Sequence, residues 1–206
     1  MRIGIDFDNT IACYDGVFHA AGVERALIPA ELPSDKSSVR NYLRQTQRED
    51  QWTELQGYIY GARMDLAKPY DGVVDAISRL QSDGHTVFVI SHKTRTPYAG
   101  PAYDLHEAAR GFLAAHGIEG SKDALLPDER VFFELTLPAK LARIAACACD
   151  IFIDDLPELF AEAAFPRTAR PLLFDPEDLY ANETAFRRFA RWRDLDAIIA
   201  MLDRPS

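Results

Sequence analysis

The chain has 206 residues, of which 48% are hydrophobic and 27% charged, and its formal net charge is -9. That length accommodates one substantial α/β domain plus a smaller insertion, and the apolar fraction supports a real core. The acidic balance argues against a chain built to grip nucleic acid nonspecifically, although a small anion held by a few local cations remains compatible with it. No run approaches the roughly 20 apolar residues of a membrane span.

In chain order, the first element is also the most informative. Arg2-Ile3-Gly4-Ile5 reads as a short buried strand, with Ile3 to Asp6 its clearest part, and it runs into Asp6-Phe7-Asp8-Asn9-Thr10. Residues two apart on an extended segment point to the same side, so Asp6 and Asp8 can face one site. Such a pair is expensive unless a cation or a proton relieves it, although Asp and Asn also favour turns for their own hydrogen-bonding reasons. The start Met1-Arg2-Ile3-Gly4-Ile5-Asp6 leaves no room for a signal peptide before the acidic site, so a soluble cytoplasmic protein is expected.

The segment from Tyr14 to Lys68 interrupts the strand and helix alternation. It carries Pro29, Pro33 and a polar stretch from Ser34 to Ser38, then two expected helices, one around Val39 to Gln47 and one from Asp50 to Ala67. Downstream, Val73, Val74, Ile77 and Leu80 recur at helical spacing within Gly72 to Ser82, and Thr86 to Ser91 is an apolar strand followed by His92-Lys93-Thr94. Ala102 to His116 reads as a helix, Arg130 to Leu135 as a strand, and Pro138 to Ala148, with Lys140 near its start, as another helix. Ile151 to Asp154 is a strand that ends in Asp154-Asp155, and Pro171 to Phe174 is a further strand. The basic, aromatic stretch Arg187 to Arg193 is expected to cover the polar face of an amphipathic helix. Cys13, Cys147 and Cys149 lack metal-ligand spacing and are expected in the core.

Apolar strands alternating with helices predict an α/β fold with a doubly wound parallel sheet. The expected organisation is a core of residues 1–13 and 69–206 with a small, mainly helical cap of residues 14–68. An insertion after the first strand hangs over the carboxyl edge of the sheet, where ligands bind in open α/β folds. At that edge a serine (Ser91), a lysine (Lys140) and four carboxylates (Asp6, Asp8, Asp154, Asp155) are expected to converge.

This ordered set of motifs, from Asp6-Phe7-Asp8-Asn9-Thr10 through Ser91 and Lys140 to Ile153-Asp154-Asp155-Leu156-Pro157-Glu158, resembles the haloacid dehalogenase superfamily, specifically its phosphatase branch with a Rossmann-like core. The resemblance covers Ile3 to about Glu158. It implies a Mg2+-dependent phosphomonoesterase. Asp6 is the implied nucleophile, forming an aspartyl-phosphate, and Asp8 the implied general acid and base. Mg2+ is implied between Asp6, the backbone carbonyl of Asp8 and an acid of the Asp154-Asp155 pair. Alignment of motif ends favours Asp155 as the direct ligand, with Asp154 as the alternative. Ser91 and the backbone N-H of His92 are implied to bind a phosphate oxygen, Lys140 to offset charge on Asp6 and on the phosphoryl group, and Thr10 to hold Asp8 in its turn.

Lys93 is a competing cation beside Ser91. Arg95, with Arg63 on the cap, is a candidate grip for a second anionic group on the substrate. The expected partner is a small-molecule phosphate ester, with no membrane or nucleic acid involved. The alternative readings are a phosphomutase of the same superfamily and a non-catalytic phosphate- or metal-binding signalling module. A dehalogenase is disfavoured because that chemistry does not need Asp8, and a response-regulator receiver because of the Asp-x-Asp spacing and the large insertion. The substrate, the oligomeric state and the pathway are not legible in the sequence.

Overall fold

The computed structural model describes residues 1–120 and 122–202. Its first strand, β1 (Arg2–Ile5), is buried over its last three residues. Two short strands, β2 (Ala12–Cys13) and β3 (Lys68–Pro69), pair antiparallel with Ala12 opposite Pro69 and Cys13 opposite Lys68. The chain between them forms α1 (Val17–Glu24), α2 (Lys36–Gln45), α3 (Glu49–Ala62) and a 3-10 turn at Met64–Leu66. The helical insertion therefore leaves and rejoins the sheet domain through one narrow ribbon. Helix α2 starts where it does because the Asp35 carboxylate accepts from the Ser38 N-H at 2.8 Å, satisfying one orphan donor of the first turn. Helix α1 was not expected from the sequence.

The rest of the chain alternates: α4 (Val73–Ser82), β4 (Thr86–His92), α5 (Leu105–Ala115), β5 (Val131–Glu134), α6 (Leu137–Ala146), β6 (Ile151–Asp154), α7 (Pro157–Ala161), β7 (Arg170–Phe174), β8 (Arg187–Phe189) and α8 (Leu195–Leu202). The main sheet has six strands in the order β5-β4-β1-β6-β7-β8, every neighbouring pair parallel. Its two faces are separated by the period-two alternation of strand side chains. Ile3, Ile5, Val87, Val89, Ile151 and Ile153 bury against residues of α4, α5 and α8 on one face. Phe88, Ile90, Phe152 and Leu173 meet Leu141 and Ile144 of α6 and Leu159 and Phe160 of α7 on the other.

The insertion shares the first of these cores, through Phe18, Leu43, Trp52, Leu55 and Ile59. Helix α3 also lies hard against the loop before α5. A Cβ on Gly57 would come within 2.6 Å of Pro97 Cβ, and one on Gly61 would overlap the Tyr103 side chain, so only glycine permits this approach.

One expected element differs in kind. Arg187 to Phe189 is not a helix face but an edge strand that pairs with β7, and a 3-10 turn follows at Trp192–Asp194. Phe189 and Trp192 pack against Phe174 with tilted rings, and Arg188 reaches the buried Asp175 at 2.5 Å. These tertiary contacts override a pattern that also suits a helix. Cys147 and Cys149 are buried as expected, whereas Cys13 is only half-buried. Among the described residues, no helix is long and apolar enough to cross a membrane.

Candidate active site

Strand β1 is central, with β4 on one side and β6 on the other, so the sheet order changes direction around it and opens a crevice at the carboxyl ends of these strands. Asp6 follows β1 and stays in the ladder through its N-H, which donates to the Ile153 carbonyl at 2.9 Å. The chain then folds back within a few residues. Asn9 takes a left-handed conformation, φ 55°, a region Asn tolerates better than most residues, while the Ile11 and Ala12 N-H groups both donate to the Phe7 carbonyl.

Lys140, in the first turn of α6, is buried and donates to Asp6 Oδ1 and to Asp154 Oδ2, each at 2.6 Å. Helix α6 is set by Thr136, which caps the Ala139 N-H at 3.3 Å, and by Pro138 in the first turn. Asp154 ends β6, and its other oxygen accepts from the Leu156 N-H at 2.9 Å. Asp155 Oδ1 accepts a long contact from the Thr10 hydroxyl, 3.4 Å. Carboxylate oxygens of Asp6, Asp154 and Asp155 lie within 4.8 Å of one another.

Asp8 belongs to a second cluster. Its oxygens accept from Lys93 Nζ at 2.8 and 3.1 Å, and Oδ1 also accepts from the Tyr14 hydroxyl at 2.6 Å. Lys93 is buried; its Nζ lies 4.9 Å from the centre of the Tyr60 ring and 5.4 Å from that of Phe7. Lys36, from the start of α2, donates to the Tyr60 hydroxyl at 3.2 Å with its Nζ 4.8 Å from the centre of the Phe18 ring.

The electrostatics follow from burial. Burial pushes the Asp6 carboxyl up to about 7, against Lys140 pulling it down, with Asp154 and Asp8 adding to the rise. Burial, then Asp154 and Asp6, hold Asp155 well above the usual carboxylate range. Burial works to lower the Lys140 ammonium, but Asp6 and Asp154 together raise it, so it is a permanent cation. Burial lowers Lys36, opposed by the fields of Asp8 and Asp155. Four carboxylates (Asp6, Asp8, Asp154, Asp155) thus meet two paired lysines (Lys93, Lys140), and among the described residues no cation pairs directly with Asp155. Only with all four acids ionised would two negative charges stand unbalanced, and burial together with that excess holds the Asp6 and Asp155 carboxyls toward their neutral forms.

The structure therefore brings Asp6, Lys140, Asp154 and Asp155 together and places Ser91, buried, at the end of the neighbouring β4. The Asp8 carboxylate stands apart from the acidic trio. Thr10 departs from expectation: it is fully buried and turned to Asp155, so it neither holds Asp8 nor faces a substrate. Arg95 is exposed and pairs with Asp104 at 2.9 Å, where Asp104 also caps α5, and Arg63 pairs with Glu24 and Asp65. Both arginines already have acidic partners. His92 is exposed and lines the cavity that opens beside Asp8. Sequence reasoning missed Tyr14, Lys36 and the Lys93–Asp8 pair. The capping pattern of Asp35 and Ser38 was the available signal that Lys36 opens a helix, but nothing local announces its neighbour Tyr60.

No protein-family model and no curated protein matches this sequence. Solved structures do match in fold. A conserved haloacid dehalogenase-like protein of unknown function from Agrobacterium tumefaciens aligns with a TM-score of 0.60 at 18% identity, covering 98% of this chain and 99% of that one. A haloacid dehalogenase-like family hydrolase from Streptococcus pneumoniae aligns with a TM-score of 0.62 at 12% identity, covering 96% and 97%. A HAD family hydrolase from Deinococcus radiodurans, with bound phosphate and sodium, aligns with a TM-score of 0.57 at 15% identity, covering 97% and 95%. With a six-stranded parallel sheet and helices on both of its faces, this chain has the fold of the haloacid dehalogenase superfamily.

Proposed function

We propose that this protein is a Mg2+-dependent phosphomonoesterase that acts on a small phosphate ester through Asp6, with α1 to α3 as its cap. The observation that carries this reading is the buried arrangement of Asp6, fixed by Lys140 in a trio of carboxylates, with a second acid, Asp8, two residues further on.

The residues fit a hard divalent cation. Asp6 and Asp155, with Asp154 beside them, offer only oxygen donors, and a dication would favour the ionised forms of Asp6 and Asp155 that burial disfavours without it. Asp154 already has both oxygens engaged, so Asp6 and Asp155 are the donors assigned to the ion. When bound, Mg2+ supplies positive charge to the transferring phosphoryl oxygens and to the acids around them.

In the proposed reaction a carboxylate oxygen of Asp6 attacks phosphorus while the bond to the ester oxygen breaks, and Asp8 delivers its proton to that oxygen. Water then attacks the phosphorus of the aspartyl-phosphate, Asp8 takes the water proton, and the bond to Asp6 breaks to release inorganic phosphate. Lys140 keeps Asp6 oriented and offsets charge beside the phosphoryl group. Tyr14 and Lys93 fix the Asp8 carboxylate. An arriving phosphoryl dianion competes with Asp8 for Lys93, which frees Asp8 to carry a proton. Ser91 and the His92 N-H are the assigned contacts of a phosphoryl oxygen.

The test is phosphate release from a broad panel of phosphorylated metabolites, with Mg2+ and with EDTA, using Asp6→Asn as the control. Release that needs Mg2+ and disappears in the variant supports the reading. An isomerised ester without free phosphate would point to a phosphomutase, and release undiminished by Asp6→Asn would refute the nucleophile.

A further inference from the structure

The cavity beside Asp8 has a volume of about 180 Å3. Thr53, Gln56 and Tyr60 of α3 contribute to its lining from the insertion, and His92, Thr94 and Tyr98 from the sheet domain. The cavity is a small space that stays open to solvent along the exposed rim of His92 and Tyr98. Among the described residues Lys93 is the one lysine or arginine in its lining, and its ammonium is already bonded to both oxygens of Asp8. The two arginines nearest in sequence to these walls, Arg63 and Arg95, are paired with Glu24, Asp65 and Asp104.

We propose that this cavity receives the leaving group of the substrate and selects a compact, uncharged polyol. This rests on the phosphomonoesterase reading and adds the substrate class to it. A carboxylate or a second phosphate placed here meets the Asp8 carboxylate as a like charge, and among the described residues the lining offers it no lysine or arginine besides Lys93, Lys36 lying beyond Tyr60 in the neighbouring cavity with Asp155. A hydroxylated neutral group meets the opposite situation. The Gln56 amide offers donors and an acceptor, the Thr53 and Thr94 hydroxyls, which donate to the Glu49 and Thr96 carbonyls, offer acceptor lone pairs, and Tyr60 and Tyr98 supply apolar ring surface for the carbon chain. A site built of such groups discriminates by leaving its polar atoms unpaired when the wrong ligand enters.

Glycerol 3-phosphate and 3-phosphoglycerate form the matched test pair, because they differ only in a terminal hydroxymethyl against a carboxylate. The Kd of each is measured by calorimetry on the Asp6→Asn protein with Mg2+, and kcat/KM on the wild type. The expected result is a preference of about tenfold or more for glycerol 3-phosphate in both measurements, shrinking toward unity or reversing in Gln56→Arg, which adds a cation to the wall. Equal affinities, a preference for 3-phosphoglycerate, or no binding of either ester would overturn the assignment. Tight, selective binding of glycerol 3-phosphate without phosphate release from any ester would uphold the cavity assignment and refute the hydrolase reading.

Discussion

Replacing Asp6 by Asn should stabilise the metal-free protein, and the size of the effect follows from the buried cluster. The Asp6 carboxyl is raised from the ordinary 3.8 to about 7, chiefly by burial. At 1.36 kcal/mol per pH unit, ionising it in the folded, metal-free protein costs on the order of 4 kcal/mol. The sign is that of a group whose folded pKa lies above its unfolded one. Its contribution is fully present below about pH 4 and is lost as pH rises through about 7. Asn cannot ionise, keeps an oxygen acceptor for Lys140, and loses nothing over that range. In EDTA at pH 8 the variant should therefore melt higher, by on the order of 10 °C if the full 4 kcal/mol is realised, since about 1 kcal/mol moves the Tm of a domain this size by about 2–4 °C. At pH 4 the two proteins should melt together. The assay is thermal unfolding by circular dichroism across that pH range, repeated with Mg2+. A ligand at one hundred times its Kd adds about 2.7 kcal/mol, and because Asp6 is assigned as a donor to the ion, Mg2+ should narrow the gap by stabilising the wild type more. A variant that melts lower than wild type in EDTA at pH 8, or by the same displacement at both pH values, would refute the reasoning.

Two further outcomes are expected. Lys93→Met removes the cation that fixes Asp8 and should lower kcat for an alkyl phosphate about tenfold more than for p-nitrophenyl phosphate, whose leaving oxygen needs little protonation. An equal loss for both esters would mean that Lys93 acts on the phosphoryl group rather than through Asp8. Gly61→Ala drives a Cβ into Tyr103 where α3 meets the loop before α5, and should cost about 1–3 kcal/mol in urea unfolding. An unchanged midpoint would show that α3 stands away from that loop in solution.

Much of this protein could be read along the chain because its signals are local. Apolar runs at Ile3, Val87 and Ile151 are buried on both faces of a parallel sheet, so they read as strands without knowledge of their neighbours. The acids and the serine stand where those runs end, and a strand end in such a sheet is a site edge whatever the strand order. Local pattern failed where two structures fit it equally. Arg187 to Arg193 suits a helix face or an edge strand, and its pairing to β7 and the Arg188–Asp175 contact decided between them.

The sequence by itself determined the doubly wound class, two of the three helices between β2 and β3, and the acids and serine at the strand ends, because hydrophobic period and strand ends are properties of consecutive residues. Only the tertiary structure decided which acid meets which lysine. Lys140 joins Asp6 across 134 positions of sequence and Lys93 joins Asp8 across 85, so that Asp6 and Asp8 sit in separate charge clusters although they are neighbours in the chain. It also committed Arg63 and Arg95 to acidic partners instead of the expected substrate contacts, and turned Thr10 to Asp155 rather than to Asp8. Such pairings depend on strand order and on how α3 seats against the sheet domain, and contacts between distant segments leave no periodic trace in the residues around them.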